Sequence, residues 1–301
     1  MASSSERVAI LGATGQLGQD LVKAAGRLGI EAVPLGHERV EITDAASVKA
    51  ALEAVRPTVV VNSAAFHQVD RCEEDPAAAF AANATGALNV ARASKALGAR
   101  VVYVSTDYVF DGTRKPRAGR TTPDSAWSET DLPAPLNVYG ASKLAGEHAT
   151  RLANPDHVVA RVSSLFGVSG ARGKGGNFVE TILRKAREGG PLKVVNDQWM
   201  TPTYTWDAAE AILRLARADA TGVVHVTNPE AATWHALASA AVELCGLAVP
   251  VEPVPATAYP SHVQRPANSA LATDRLAKVL GEPLRPWRAA LGAYLREKGH
   301  L

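Results

Sequence analysis

Cysteine is scarce. The chain of 301 residues carries two, Cys72 and Cys245, far apart and without Cys-x-x-Cys or Cys/His spacing, which leaves no basis for a disulfide framework or a zinc centre. Net charge is almost absent as well, +2 from 32 basic and 30 acidic residues. No basic block is long enough to form a nucleic-acid or membrane footprint, so the expected partner is a small molecule. No uninterrupted apolar run reaches spanning length, and the opening MASSSER is short and polar with no apolar signal core behind it. The histidines are scattered, and packing or exposure is the first reading even for His67 beside a strand end, so no metal is expected. What is left is a soluble protein of a reducing cytoplasm, whose 47% hydrophobic residues supply ample core.

Short β-branched runs alternate with alanine-rich helical stretches: RVAIL, then residues 16–28; EAVPL, then 45–55; TVVVN, then 75–96; and RVVYVS. The strands read as continuous apolar runs, as strands covered by helices on both faces do. This order predicts an α/β fold with a doubly wound, Rossmann-type parallel sheet. The rhythm resumes with a helix carrying NVYGASKLAGE, the strand HVVARV, a helix over 177–188, the strand LKVV and the helix DAAEAILRLARA. After VVHVTN, seven prolines from Pro250 to Pro286 punctuate short segments around one helix at 234–245. The expectation is a dinucleotide-binding domain of residues 1–163 and 193–228, interleaved with a smaller substrate-binding lobe of residues 164–192 and 229–301.

Three motifs carry chemistry. In GATGQLG, Gly12, Gly15 and Gly18 stand between the first strand and the first helix, where glycine permits a tight turn and lets a pyrophosphate approach the helix N-terminus. At the end of the fourth strand, Ser105-Thr106-Asp107-Tyr108 offers a hydroxyl able to donate to a developing alkoxide. Tyr139 and Lys143 follow four residues apart, one helical turn, on a common face. A cation held beside the phenol is expected to lower its pKa from about 10, making Tyr139 a proton donor and acceptor near neutrality. All three point to one sheet edge, the place for hydride transfer to a carbonyl. Other stretches stay open. Small residues in VVVNSAAF suit either a cofactor wall or close packing; His37 and Arg39 suit either an adenosine 2′-phosphate or a solvated loop. The basic stretch with Arg114, Lys115, Arg117 and Arg120 suits either a lid over an anionic substrate or a solvated loop.

These motifs in this order resemble the extended short-chain dehydrogenase/reductase superfamily and, within it, the dTDP-4-dehydrorhamnose reductase family. The segments STDYVFDG, PLNVYGASKLAGE, GGNFVETIL, VVNDQWMTPT and RPANSAL extend the likeness over nearly the whole chain. The resemblance implies Thr106, Tyr139 and Lys143 as the catalytic trio, with Lys143 also holding the nicotinamide ribose. It places Gly12, Gly15, Gln16, Leu17 and Gly18 around the pyrophosphate and Glu41 and Ile42 beside the adenosine. Ala64, Ala65 and Asn83 would line the cofactor groove, and Tyr108, Asn177, Gln198 and Arg265 would face a sugar nucleotide. The implied cofactor is NADPH, with NADH as the alternative, and the implied reaction is reduction of the C4 ketone of a dTDP-4-keto-6-deoxyhexose. Related 4,6-dehydratases carry Asp-Glu after the fourth-strand threonine; Asp107-Tyr108 here speaks for simple reduction. Ser164 stands where the family often has tryptophan, and the loop over 112–127 is longer than usual. Some relatives are dimers bridged by magnesium through carboxylates. Trp206 and Arg288 occupy two of those positions, so the metal is not carried over and a homodimer stays open. Two alternatives remain: reduction of another 4-keto sugar nucleotide, and a non-catalytic nucleotide-binding regulatory subunit on the same scaffold.

Overall fold

The strands that open the chain are apolar throughout because both faces are covered, and they pair in parallel as alternation with helices requires. The computed structural model describes residues 6–114, 125–170 and 176–301. The strands are β1 (Arg7–Leu11), β2 (Glu31–Leu35), β3 (Val59–Asn62), β4 (Arg100–Thr106), β5 (His157–Val162), β6 (Leu165–Phe166), β7 (Leu192–Val195), β8 (Trp199–Met200), β9 (Thr203–Tyr204), β10 (Gly222–His225), β11 (Ala232–Thr233) and β12 (Val251–Val254). The helices are α1 (Gln16–Arg27), α2 (Ala45–Val55), α3 (Val69–Glu74), α4 (Pro76–Phe80), α5 (Gly86–Ala96), α6 (Val138–Ala153), α7 (Phe178–Glu188), α8 (Thr205–Arg217), α9 (Trp234–Leu244), α10 (Asp274–Leu280) and α11 (Trp287–Glu297).

Six strands form one sheet in the order β10-β5-β4-β3-β1-β2, and every neighbouring pair is parallel. On one face Leu17 and Leu21 of α1 and Ile212 and Leu215 of α8 pack with Ile10, Val102 and Val158. On the other, Val48 and Leu52 of α2 and Val90 of α5 pack with Ala9, Leu11 and Val60. This is the expected doubly wound α/β fold. From β1 the chain goes to β2 on one side and then returns to β3 on the other. The strand order therefore reverses between β1 and β3 and opens a crevice at their carboxyl ends.

The smaller lobe is built on two-stranded ribbons, among them β7 with β12 and β8 with β11, around α7, α9 and α11, whose Leu183, Leu237, Ala241, Leu291 and Tyr294 share a core. Two stretches fall across the expected domain limits. The expected limit at 192/193 cuts LKVV, placing Lys193, Val194 and Val195 in the nucleotide-binding part, but LKVV is one strand, β7, and pairs with β12 from Leu192↔Val251 to Val195↔Val254. Leu192 and Val194 are buried while Lys193 is exposed, the alternation of a ribbon open on one side rather than of a strand covered on both. Residues 193–200 thus pair with strands of the smaller lobe. In the other direction, α10 lies within 229–301 yet sends Leu276 into the core beneath the main sheet. The stretch 75–96 is helical without a break from Pro76, with a π-helical turn at Ala81–Thr85 between α4 and α5. Of the basic loop, residues 115–124 lie outside the described residues. Among the described residues no helix is long and apolar enough to cross a membrane.

Candidate active site

The glycine turn works through backbone approach. Gly12 has φ +76°, and a Cβ there would meet the Ala64 nitrogen at 2.7 Å, so glycine alone lets the end of β1 lie against the end of β3. Ser63 closes the junction by donating to Leu11 O at 2.7 Å. No side chain caps α1 at Gly15, which leaves first-turn N–H donors for an anion. A groove of about 610 Å³ runs from Leu35, His37, Glu41 and Ile42 past Gly12 and Gly15 to Ala64 and Ala65. It continues into a cavity of about 330 Å³ walled by Gly12, Gly15, Gln16, Leu17 and Gly18 at one end and by Thr106, Tyr139 and Lys143 at the other. Gln16 Oε1 is buried without a partner there. Small walls, free N–H donors and an orphaned amide oxygen fit an elongated dinucleotide. At the far end, Glu41 accepts from Thr43 N and Oγ1 at 2.9 and 2.8 Å, and these bonds hold its carboxyl below the ordinary range. His37 is in the groove wall, whereas Arg39 donates to Pro34 O at 3.1 Å.

Asn83 does not line the groove. It is fully buried, its Oδ1 accepts from Phe66 N at 2.9 Å, and its Nδ2 donates to Phe66 O and Ser142 Oγ, both at 3.0 Å. Its place in the π-helical turn, a feature frequent at functional sites, ties the segment after β3 to α6. It shapes the wall rather than forming it.

The catalytic corner joins the end of β4 to the first two turns of α6. Asn137 caps α6 by accepting from Gly140 N at 2.8 Å. Gly140 allows the helix to pass over Tyr108, because a Cβ there would run into the Tyr108 carbonyl oxygen. Tyr139 and Lys143 then face Thr106 across the cavity. Lys143 Nζ donates to Val104 O at 2.7 Å and lies 4.1 Å from the centre of the Tyr103 ring. Beneath it Glu147 holds Arg161 through two bonds of 2.8 and 2.7 Å and accepts from Ser105 at 2.6 Å.

One expectation is reversed. Tyr139 is pushed above the ordinary phenol range, by burial, with the nearby Thr106 hydroxyl opposing. Its neighbour is affected too: burial pulls the Lys143 ammonium down to about 7, against the pull of Glu147. The spacing placed a cation beside the phenol, but desolvation weakens both charged forms together.

A second cavity, of about 940 Å³, opens beside the first. Phe178, Trp234 and Tyr259 give it aromatic walls and Lys185, Lys193 and Arg265 give it cations, and Tyr108 and Trp234 belong to both cavities. Gln198 and Arg265 stand in this wall as expected from the resemblance. Arg265 also bonds Asp70 on α3, 3.1 Å to each oxygen. Asn177 does not reach it: its Oδ1 accepts from Glu180 N at 3.0 Å, and its Nδ2 donates to Gly167 O and Tyr294 Oη at 2.9 and 3.1 Å. Both polar atoms of the amide are engaged, the oxygen in starting α7 and the nitrogen in bonds to Gly167 and Tyr294. Sequence reasoning missed Phe178, Lys185, Lys193 and Trp234. Only a tryptophan opening a helix within a proline-punctuated region offered a signal.

The chain matches the family model described as RmlD substrate binding domain over residues 6–299. It is 41% identical over 298 residues to the dTDP-4-dehydrorhamnose reductase of Mycobacterium tuberculosis strain H37Rv, covering 98% of this chain and 94% of that protein. It is 37% identical to the spore coat polysaccharide biosynthesis protein SpsK of Bacillus subtilis, covering 97% and 98%. The crystal structure of dTDP-4-dehydrorhamnose reductase from Bacillus anthracis in complex with NADP superposes with a TM-score of 0.88 at 33% identity, covering 97% of this chain and 99% of that one. With a model that spans the crevice, the catalytic corner and the smaller lobe alike, the chain belongs to the dTDP-4-dehydrorhamnose reductase family.

Proposed function

We propose that the chain is an NADPH-dependent reductase of the C4 ketone of a dTDP-4-keto-6-deoxyhexose, converting dTDP-4-dehydro-L-rhamnose to dTDP-L-rhamnose. The observation that carries this reading is the pair of cavities sharing Tyr108 and Trp234. A ketone held at Tyr139 leaves the rest of a nucleotide-activated sugar to extend toward aromatic walls and the cations Lys185, Lys193 and Arg265. The groove from Gly18 to Ile42 holds the cofactor, with Gly12, Gly15, Gln16 and Leu17 at its pyrophosphate and Lys143 near the nicotinamide ribose.

Bound NADPH supplies the hydride. The protein supplies the proton and its control. A phenol shifted upward by burial stays protonated near neutrality, the state a donor to a forming alkoxide needs. The Thr106 hydroxyl and the Lys143 ammonium offset the phenolate left after donation. Tyr108, in place of a second carboxylate, packs edge-on to Tyr139 with ring centres 6.0 Å apart. This corner therefore favours ketone reduction over elimination. The partner is a sugar nucleotide rather than nucleic acid, in keeping with a net charge of +2. We place the reaction in the cytoplasm on the composition argument.

The test mixes the protein with NADPH and dTDP-4-keto-6-deoxyglucose, with and without the 3,5-epimerase that makes the rhamnose precursor, and follows the absorbance of the reduced nicotinamide. Oxidation only with the epimerase is the expected result. Oxidation without it keeps the reductase and changes the sugar; none in either case overturns the reading in favour of a binding subunit.

A further inference from the structure

Asn137, two residues before Tyr139, is buried and uses both ends of its amide. Its Oδ1 accepts from Gly140 N at 2.8 Å and starts α6; its Nδ2 donates to Gln264 O of the smaller lobe at 2.9 Å. The amide cannot be turned over, because that would set donor against donor and acceptor against acceptor. The residue after Gln264 is Arg265, in the wall of the second cavity. Its guanidinium donates to Ser261 Oγ at 2.7 Å and to Asp70 of α3. Beyond it Trp199 N donates to Ala267 O at 2.9 Å, and Ala267 N packs so closely on Gly112 that a Cβ there would meet it at 2.5 Å. The backbone is therefore held on both sides of Arg265, by the smaller lobe at Ala267 and by α6 at Gln264. A helix cap needs the Asn137 oxygen alone; the cap gives the nitrogen no task.

We propose that Asn137 is a positioning residue for substrate recognition. One planar amide starts the helix that carries Tyr139 and also fixes the strap, residues 261–267, that presents Arg265 to the sugar nucleotide. The phenol that meets the ketone and the guanidinium that meets the far part of the substrate are thereby set in one register through a rigid group. Without the bridge Arg265 keeps its charge and its bonds to Ser261 and Asp70, but the backbone that carries it is free to shift against α6. A substrate seated at Tyr139 then binds less well, while the proton transfer that follows is unaltered because the cap still holds Tyr139. Serine and aspartate can replace the cap but not the bridge: the serine hydroxyl ends one bond nearer its own backbone, and a carboxylate has no proton to give to Gln264 O.

This assignment rests on the reductase reading, and a ligand-free measurement separates the two. Asn137→Ser and Asn137→Asp both keep a good cap. Each should raise the KM for the sugar nucleotide about three- to tenfold, the scale of one neutral hydrogen bond. NADPH affinity should not move, and the kcat of Asn137→Ser should stay close to that of the wild type. In an Arg265→Ala background neither substitution should raise KM further, because Asn137 acts through Arg265. An unchanged KM, a fall in the kcat of Asn137→Ser at constant KM, or full additivity with Arg265→Ala reduces Asn137 to a helix cap and overturns the proposal. Without substrate, hydrogen exchange read by mass spectrometry should show residues 261–267 of Asn137→Ser exchanging faster, with the start of α6 as protected as in the wild type. If no protein, the wild type included, turns over any 4-keto sugar nucleotide, the reductase reading fails and exchange decides the bridge by itself. A strap that exchanges as in the wild type, or a strap and helix start that loosen together, sinks it.

Discussion

Lys143 and Lys193 are the same residue type in opposite settings. Lys143 is 2% exposed, bonded to a strand carbonyl and pulled down to about 7; Lys193 is exposed on a two-stranded ribbon at the rim of the neighbouring cavity. A desolvated cation sits near its own titration point and is suited to managing a proton. A solvated cation at a cavity rim is suited to attracting an anion. On the proposed reading the Tyr139 corner and the neighbouring cavity divide the work, chemistry beside a buried lysine and recognition beside lysines at the rim.

The sharpest way to break that division is Tyr139→Phe. If the corner does the chemistry alone, turnover should fall by about 10²–10⁴, the contribution of a positioned general acid. NADPH affinity, measured by fluorescence titration, should hardly move, because the phenol acts in the transition state. Near-normal turnover in this variant would remove Tyr139 from the mechanism.

The corner was legible in the sequence because its parts obey a period. Four residues between Tyr139 and Lys143 are one helical turn, and three glycines between a strand and a helix make a phosphate turn whatever surrounds them. The neighbouring cavity obeys none: Lys185 comes from α7 and Lys193 from β7, brought to one wall by a pairing with β12 that no spacing announces. Asn83 and Asn177 show a different limit: the resemblance implies ligand contacts for both, and both spend their amides on backbone and side-chain partners. For Asn177 the competing reading, an N-cap just before a helix, was available from the residues alone. The direction of the Tyr139 shift was hidden because it depends on burial, which a linear spacing does not report.

The division is sharpened by Arg265→Ala. Losing a charge-assisted contact costs about 1.5–3 kcal/mol, so the KM for the sugar nucleotide should rise on the order of tenfold to a hundredfold while kcat stays close to that of the wild type. Because these cations meet solvent, the wild-type KM should also rise with added salt, and the variant should respond less. Steady-state kinetics at two ionic strengths decide it; a fall in kcat at constant KM would tie the second cavity to the chemistry and erase the distinction.

The smallest expected effect tests the buried half of the comparison by stability. Lys143 titrates at about 7 when folded and at its ordinary 10.5 when unfolded, so between those values the unfolded chain binds more protons and stability rises with pH. Below about 7 the folded protein carries the full cost of a buried ammonium; toward 10.5 that cost disappears. Lys143→Met removes the charge and keeps the length of the side chain. The variant should therefore be more stable than the wild type at pH 7 by urea unfolding, with the margin shrinking as the pH is raised, although it loses turnover. A margin that grows with pH, or a variant less stable at pH 7, would mean that the ammonium is held by favourable contacts rather than strained by burial, and the contrast with the exposed lysines would lose its physical basis.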